Sequence, residues 1–194
     1  MIEGLKPFYN NTLRPIARFF NVIGLHPNYV TLFGLLLFIA AAWFCAVSRW
    51  FYAFAVVVAG SCMDGLDGMI ARENNLNSKF GAILDSTCDR ITEMALLGGI
   101  AFFYINSTSY RFWGPVLCFI ALNSSFLISY IKARCEGVGI SCNRGILQRP
   151  ERLILLSAGL LTGPSIMIWI LVGISVLGFA TIIQRIHQAA AGDG

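Results

Sequence analysis

The sequence predicts an all-α integral membrane protein, with six transmembrane helices preceded by an N-terminal interfacial amphipathic helix. Three observations predict it. Of 194 residues, 57% are hydrophobic and only 12% are charged, about half the charge of a soluble domain. The mean hydropathy is +0.71. The apolar residues also fall into runs, and at roughly 20 residues per crossing six spans take about 120 residues. This excludes an ordinary water-soluble fold, a disordered chain and nucleic-acid binding through a basic surface. It also leaves little chain for a separate soluble domain. The expected organisation is an interfacial helix over 1–24, a six-helix membrane domain over 25–187 and a short tail over 188–194.

The elements follow in order. Residues 2–24 mix Leu5, Phe8, Leu13, Ile16, Phe19, Phe20 and Ile23 with Lys6, Arg14 and Arg18. An apolar face with a basic edge reads as a helix lying on the membrane. The first span is expected over 29–47, with a turn at Arg49 and Trp50, and the second over 51–70. A polar stretch, 72–79, leads to the third span over 80–104. The fourth covers 112–131 and is followed by the longest polar segment, 132–149. Pro150 suits the first turn of a helix and opens the fifth span, which ends near 161. Gly163 and Pro164 turn the chain into the sixth span, which ends near 183. Trp43, Trp50, Trp113 and Trp169 are expected in interfacial aromatic belts.

Lys and Arg set the orientation. Six spans put both termini on one side. That side holds Lys6, Arg14, Arg18, Arg72, Lys79, Lys132, Arg134, Arg144, Arg149, Arg152 and Arg185, and the other holds Arg49 and Arg111. The termini and the two long polar loops are therefore expected in the cytoplasm, on a multi-pass protein of the cell membrane.

Charge is scarce, so each charge inside an apolar run needs a reason. Asp64 and Asp67 end the second span, and Asp85 and Asp89 begin the third. Spacings of three and four place each pair on one helix face. An antiparallel helix pair would bring the two faces together. Four close carboxylates repel unless cations bind between them. All-oxygen ligation suits Mg²⁺, Mn²⁺ or Ca²⁺, and two carboxylate-bridged metals suit phosphoryl transfer. The alternative is ion pairing with Arg72, Arg90 and Lys79. Gly65, Gly68 and Gly81 beside the acids would allow close approach of helices or a ligand. Glu93 continues the Asp85–Asp89 face one turn deeper. It is expected to be a buried neutral acid or a partner for Arg90.

The stretch reads Asp64-Gly-Leu-Asp67-Gly68-Met-Ile-Ala71-Arg72 and, after eight residues, Gly81-Ala-Ile-Leu-Asp85-Ser-Thr-Cys-Asp89. It resembles in full the CDP-alcohol phosphotransferase signature D-x2-D-G-x2-A-R-x8-G-x3-D-x3-D. Pro27-Asn28-Tyr29-Val30-Thr31 resembles the P-N-x-x-T that precedes the family's first span. The resemblance implies transfer of a phosphatidyl-type group from a CDP-lipid (CDP-diacylglycerol or CDP-archaeol) to an alcohol, with release of CMP. It implies two divalent metals, Mg²⁺ with Mn²⁺ as the alternative, on Asp64, Asp67, Asp85 and Asp89. Asp89 would also take the proton from the attacking hydroxyl. Pro27, Asn28, Thr31, Gly68, Arg72 and Ser78 would hold the CDP part, and Ala71 and Gly81 would line its cytidine slot. A homodimer is also implied.

The segment from Ser129 to Leu153 holds Lys132, Arg134, Arg144, Arg149 and Arg152. Cations at both helix edges suggest a pocket for a phosphorylated acceptor, because Arg suits bidentate phosphate recognition. The alternative is positive-inside charge touching anionic lipid. The segment also resembles the phosphatidylinositol-phosphate and archaetidylinositol-phosphate synthase branch, which uses inositol 1-phosphate. That implies Ser129, Lys132, Arg134, Arg149 and Arg152 around its phosphate, with Arg185 from the last span. Two alternatives stay open. One is the phosphatidylglycerol-phosphate synthase branch, which uses glycerol 3-phosphate. The other is a divalent-cation transporter, which would place the acids near mid-membrane within inverted repeats. His26 has no expected role, and Cys135 and Cys142 share a polar loop where a disulfide could form.

Overall fold

A computed structural model describes residues 24–192 except 75, 77, 143 and 144, together with Pro15 and Phe20. The expected interfacial helix over 1–24 and Arg144 therefore lie outside the described residues, apart from Pro15, Phe20 and Gly24. The described chain is all helical: α1 Pro27–Ala46, α2 Trp50–Glu73, α3 Lys79–Ile105, α4 Trp113–Gly137, α5 Arg149–Thr162 and α6 Pro164–Gly192.

Local chemistry sets the helix starts. Pro27 opens α1 behind His26, whose Nδ1 accepts the Asn28 N–H at 3.3 Å, so His26 is a cap. The Ser78 hydroxyl accepts the Gly81 N–H at 2.9 Å and caps α3. Gln148 and Glu151 form a reciprocal capping box at α5, with Pro150 in its first turn, which satisfies otherwise orphaned donors. Gly163, at φ +96°, makes the turn into α6, a conformation that suits glycine.

Four helices, α1, α2, α4 and α6, are long and apolar enough to cross a membrane. The other two fall short for identifiable reasons. α5 has 14 residues, about 21 Å at the helical rise. α3 carries Lys79, Asp85, Asp89, Arg90 and Glu93 among its 27 residues. α4 and α6 extend past the apolar runs at 131 and 183, into segments with helix-favouring residues such as Ala133 and Ala189–Ala191.

α1 packs on both α2 and α3, α4 packs on α3 and α6, and α5 packs on α6 and α2. α2 and α3 bring their acid faces together as expected, and both also pack on α1, where Gly99 of α3 meets the backbone of Ala42 so closely that a Cβ would overlap it. One large core runs through the bundle, including Phe38, Val57, Leu96, Ile100, Ala121, Leu156 and Leu171. A smaller cluster of Val30, Leu66, Met69 and Ile70 lies beside the acids.

Exposed apolar side chains such as Phe33, Leu36, Phe51, Phe119 and Ile183 cover the outside, which suits a lipid-facing surface. Trp43, Trp113 and Trp169 are exposed and near the bundle end opposite the acids. Trp50 departs from the expected belt. It is buried, with its ring edge-on to Phe103 at 4.9 Å, because it opens α2 against the end of α3.

Candidate active site

The acids sit where α2 and α3 approach the α5 N-terminus. Carboxylate oxygens of Asp64, Asp85 and Asp89 all lie within 4.8 Å of one another. Three oxygen ligands from two helices can hold a divalent cation. Asp89 Oδ1 is buried, and the charge it faces there is the Arg149 guanidinium. The residues present therefore fit a hard divalent metal.

Asp67 stands beside this triad and is held by other contacts. It is buried, accepting the Thr31 hydroxyl on Oδ2 at 2.5 Å and the Gly68 N–H on Oδ1 at 2.5 Å. Thr31 thus ties α1 to the acid face of α2.

The cation facing the acids is not one of those weighed as partners in the sequence. Arg149, at the start of α5, forms a fork on Asp64, with Nη1–Oδ2 at 3.0 Å and Nη2–Oδ1 at 3.2 Å. Its Nη2 is also 2.6 Å from Asp89 Oδ1. Arg90 reaches only the edge of the cluster, 3.7 Å from Asp89, and donates to the Ser86 carbonyl.

A cavity of about 210 Å³ opens beside the acids. It is lined by Pro27, Asn28, Thr31, Asp67, Gly68, Ala71, Leu76, Ser78, Gly81, Ala82 and Asp85. The structure thus brings Pro27, Asn28, Thr31, Gly68, Ala71, Ser78 and Gly81 together around one space. Arg72 stands outside the lining. Its guanidinium folds over Gly68, where an added Cβ would be 3.3 Å from Nη1. Leu76 and Ala82 also line the cavity, and nothing in two ordinary apolar residues could have marked them.

The expected acceptor residues occupy three environments. Arg149 joins the acids. Lys132 and Arg134 are exposed on the last turns of α4, where Lys132 pairs with Glu136 at 3.7 Å. Arg152 and Arg185 are buried, at 2% and 4% exposure, and lie within electrostatic reach of each other. Arg185 donates to the Ile128 carbonyl, next to half-buried Ser129, while its Nε has no hydrogen-bond partner.

Glu93 pairs with Arg152, not with Arg90 (Nε–Oε1 2.7 Å, Nη2–Oε2 3.2 Å). Arg90 instead reaches back along its own helix, as helical side chains tend to, which leaves Glu93 to a cation from α5. Cys135 and Cys142 are buried free thiols.

Comparison with known proteins adds the family. A family model described as CDP-alcohol phosphatidyltransferase matches residues 24–184. An archaetidylinositol phosphate synthase of Methanothermobacter thermautotrophicus is 34% identical over 189 residues, covering 95% of this chain and 92% of the relative. The crystal structure of the Mycobacterium tuberculosis phosphatidylinositol phosphate synthase with CDP-DAG bound superposes with a TM-score of 0.82 at 34% identity. The match covers 90% of this chain and 92% of that one. The same synthase in complex with manganese and citrate gives 0.85 at 33% identity, covering 93% and 90%.

Proposed function

The chain belongs to the CDP-alcohol phosphatidyltransferase family, and on that premise we propose that it transfers a phosphatidyl-type group from a CDP-lipid to inositol 1-phosphate. The products are CMP and a phosphatidylinositol-phosphate-type lipid. The observation that carries the reading is the single cavity in which Pro27, Asn28, Gly68, Ser78 and Gly81 meet Asp67 and Asp85. It offers a space of about 210 Å³ bordered by two of the acids.

Asp64, Asp85 and Asp89, with Asp67, would hold two divalent ions, Mg²⁺ with Mn²⁺ as the alternative. Bound there, the metal supplies charge neutralisation for the pyrophosphate and for the leaving CMP. The protein's own groups do the rest. Gly68 and Gly81 keep the cavity open to the flat base, and Asn28, Ser78 and Arg72 offer polar contacts to the CDP part. Asp89 accepts the proton of the acceptor hydroxyl. The acceptor hydroxyl oxygen then bonds to the lipid-side phosphorus as the bond from that phosphorus to the CMP oxygen breaks. Holding the reactants in line contributes most of the rate in such transfers.

Ser129, Lys132, Arg134, Arg149, Arg152 and Arg185 are the proposed contacts of the acceptor phosphate. Buried Arg185, with its unpartnered Nε, supports an anion at this place, since a buried charge needs a counter-charge. The charge alone would serve glycerol 3-phosphate equally. The inositol-phosphate reading rests on the relatives above. Divalent-cation transport is set aside with the family assignment.

All six helices are proposed as spans, with α3 and α5 packed against the four apolar ones. Acids and termini face the cytoplasm, in the cell membrane, as the Lys and Arg distribution favours. The chain acts as a homodimer, which its mass in detergent would test; a monomer mass with full activity would overturn that part. Mass spectrometry of the lipid made from CDP-diacylglycerol and inositol 1-phosphate tests the function. The mass of a phosphatidylinositol phosphate supports it, and unchanged CDP-lipid in the presence of Mg²⁺ or Mn²⁺ refutes it.

A further inference from the structure

We propose that Glu93, braced by Ser125, is a positioning residue that aims Arg152 at the acceptor phosphate. The inference rests on the acceptor role proposed above for Arg152. Glu93 lies one turn beyond Asp89 on α3. It takes Arg152 Nε and Nη2 on its two oxygens, at 2.7 and 3.2 Å, and accepts the Ser125 hydroxyl on Oε1 at 2.8 Å. Three helices, α3, α4 and α5, thus meet on one carboxylate.

The arrangement leaves part of the guanidinium available. Arg152 has five N–H donors. Two go to Glu93 and one, at a long 3.4 Å, goes to the Leu147 carbonyl. Two make no hydrogen bond to the protein's described residues. Glu93 thus fixes the plane of the guanidinium without using all of its donors. Because Arg152 is 2% exposed, water does not orient it and the carboxylate must.

Fold stability is a weak reason for such a pair. Buried ion pairs contribute little net stability against apolar residues of similar volume. The location gives a better reason. Glu93 lines a narrow cleft with Asp89, Thr92 and Arg149, which places the brace directly beside the acids.

The test is steady-state kinetics of purified full-length protein in detergent, with inorganic phosphate as a competing probe of the acceptor site. Glu93→Gln keeps the shape and removes the charge. It should raise the acceptor KM and the phosphate inhibition constant about tenfold, the worth of one charge-assisted hydrogen bond, with the CDP-lipid KM unchanged. Glu93→Asp should restore part of that loss.

The double variant Glu93→Leu with Arg152→Met guards against misfolding. It should keep the wild-type Tm and still lose acceptor affinity. If Arg152→Met raises the acceptor KM while Glu93→Gln leaves it unchanged, the positioning role falls and the pocket stands. If Arg152→Met changes nothing, the pocket itself is misplaced. Equal rises in both substrate KM values for Glu93→Gln would mark a merely structural residue and overturn the proposal.

Discussion

Arg149 and Asp64 form a two-pronged ion pair between positions 85 apart in sequence, with N–O distances of 3.0 and 3.2 Å. The same guanidinium lies 2.6 Å from Asp89. One cation at the start of α5 therefore faces acids from both α2 and α3. Three carboxylates within 4.8 Å are strongly repulsive without counter-charge, so Arg149 partly neutralises the cluster.

Removing that cation should make stability more dependent on metal. Arg149→Ala is expected to lose about 1–2 kcal/mol in chelator, a value reduced for the partial exposure of both partners. Mn²⁺ should then raise its Tm by more than it raises that of the wild type. Thermal unfolding in detergent with EDTA and with Mn²⁺ decides this, and equal metal-induced shifts would show that Arg149 does not balance the acids.

Asp89→Asn should keep the fold and lose about 10²–10⁴-fold in CMP release, the range for a general base. The side chain keeps its volume, so near-wild-type Tm is expected alongside the loss. Full activity would remove the base assignment.

Gly81→Val should act on one substrate. A Cβ at Gly81 would sit 3.0 Å from Ser78 Oγ and 3.4 Å from Asn28 Oδ1, so a branched side chain fills the cavity. The expected result is a CDP-lipid KM raised at least severalfold with the acceptor KM unchanged. If both KM values stayed at wild type, this cavity would not be the nucleotide site.

Gly99→Val should destabilise the bundle without touching the site. The Cβ would overlap the Ala42 carbonyl on α1, and overpacking of this kind costs about 1–3 kcal/mol or more. A Tm equal to wild type would mean that α1 and α3 are not in such close contact.

Much of this was legible in the sequence because it depends on local spacing. The apolar runs gave six helices close to the expected places, and the Asp64–Asp67 and Asp85–Asp89 spacings gave two acid faces. Features that depend on which helices meet in space were not legible. Nothing local says that α1 packs on both α2 and α3, or that Trp50 turns inward onto Phe103. The partner of Glu93 is another such case. Arg90 is its neighbour on the helix, yet the approach of α5 supplies Arg152. Arg149 was visible as a cation, but its fork on Asp64 needed the packing of α5 on α2.

The central claim is most directly tested by CMP release from CDP-diacylglycerol with Mg²⁺ or Mn²⁺, comparing inositol 1-phosphate, glycerol 3-phosphate and inositol as acceptors. The account predicts the highest kcat/KM with inositol 1-phosphate, little with unphosphorylated inositol, and none with any acceptor in EDTA. Preference for glycerol 3-phosphate, or release that needs no divalent metal, would contradict it.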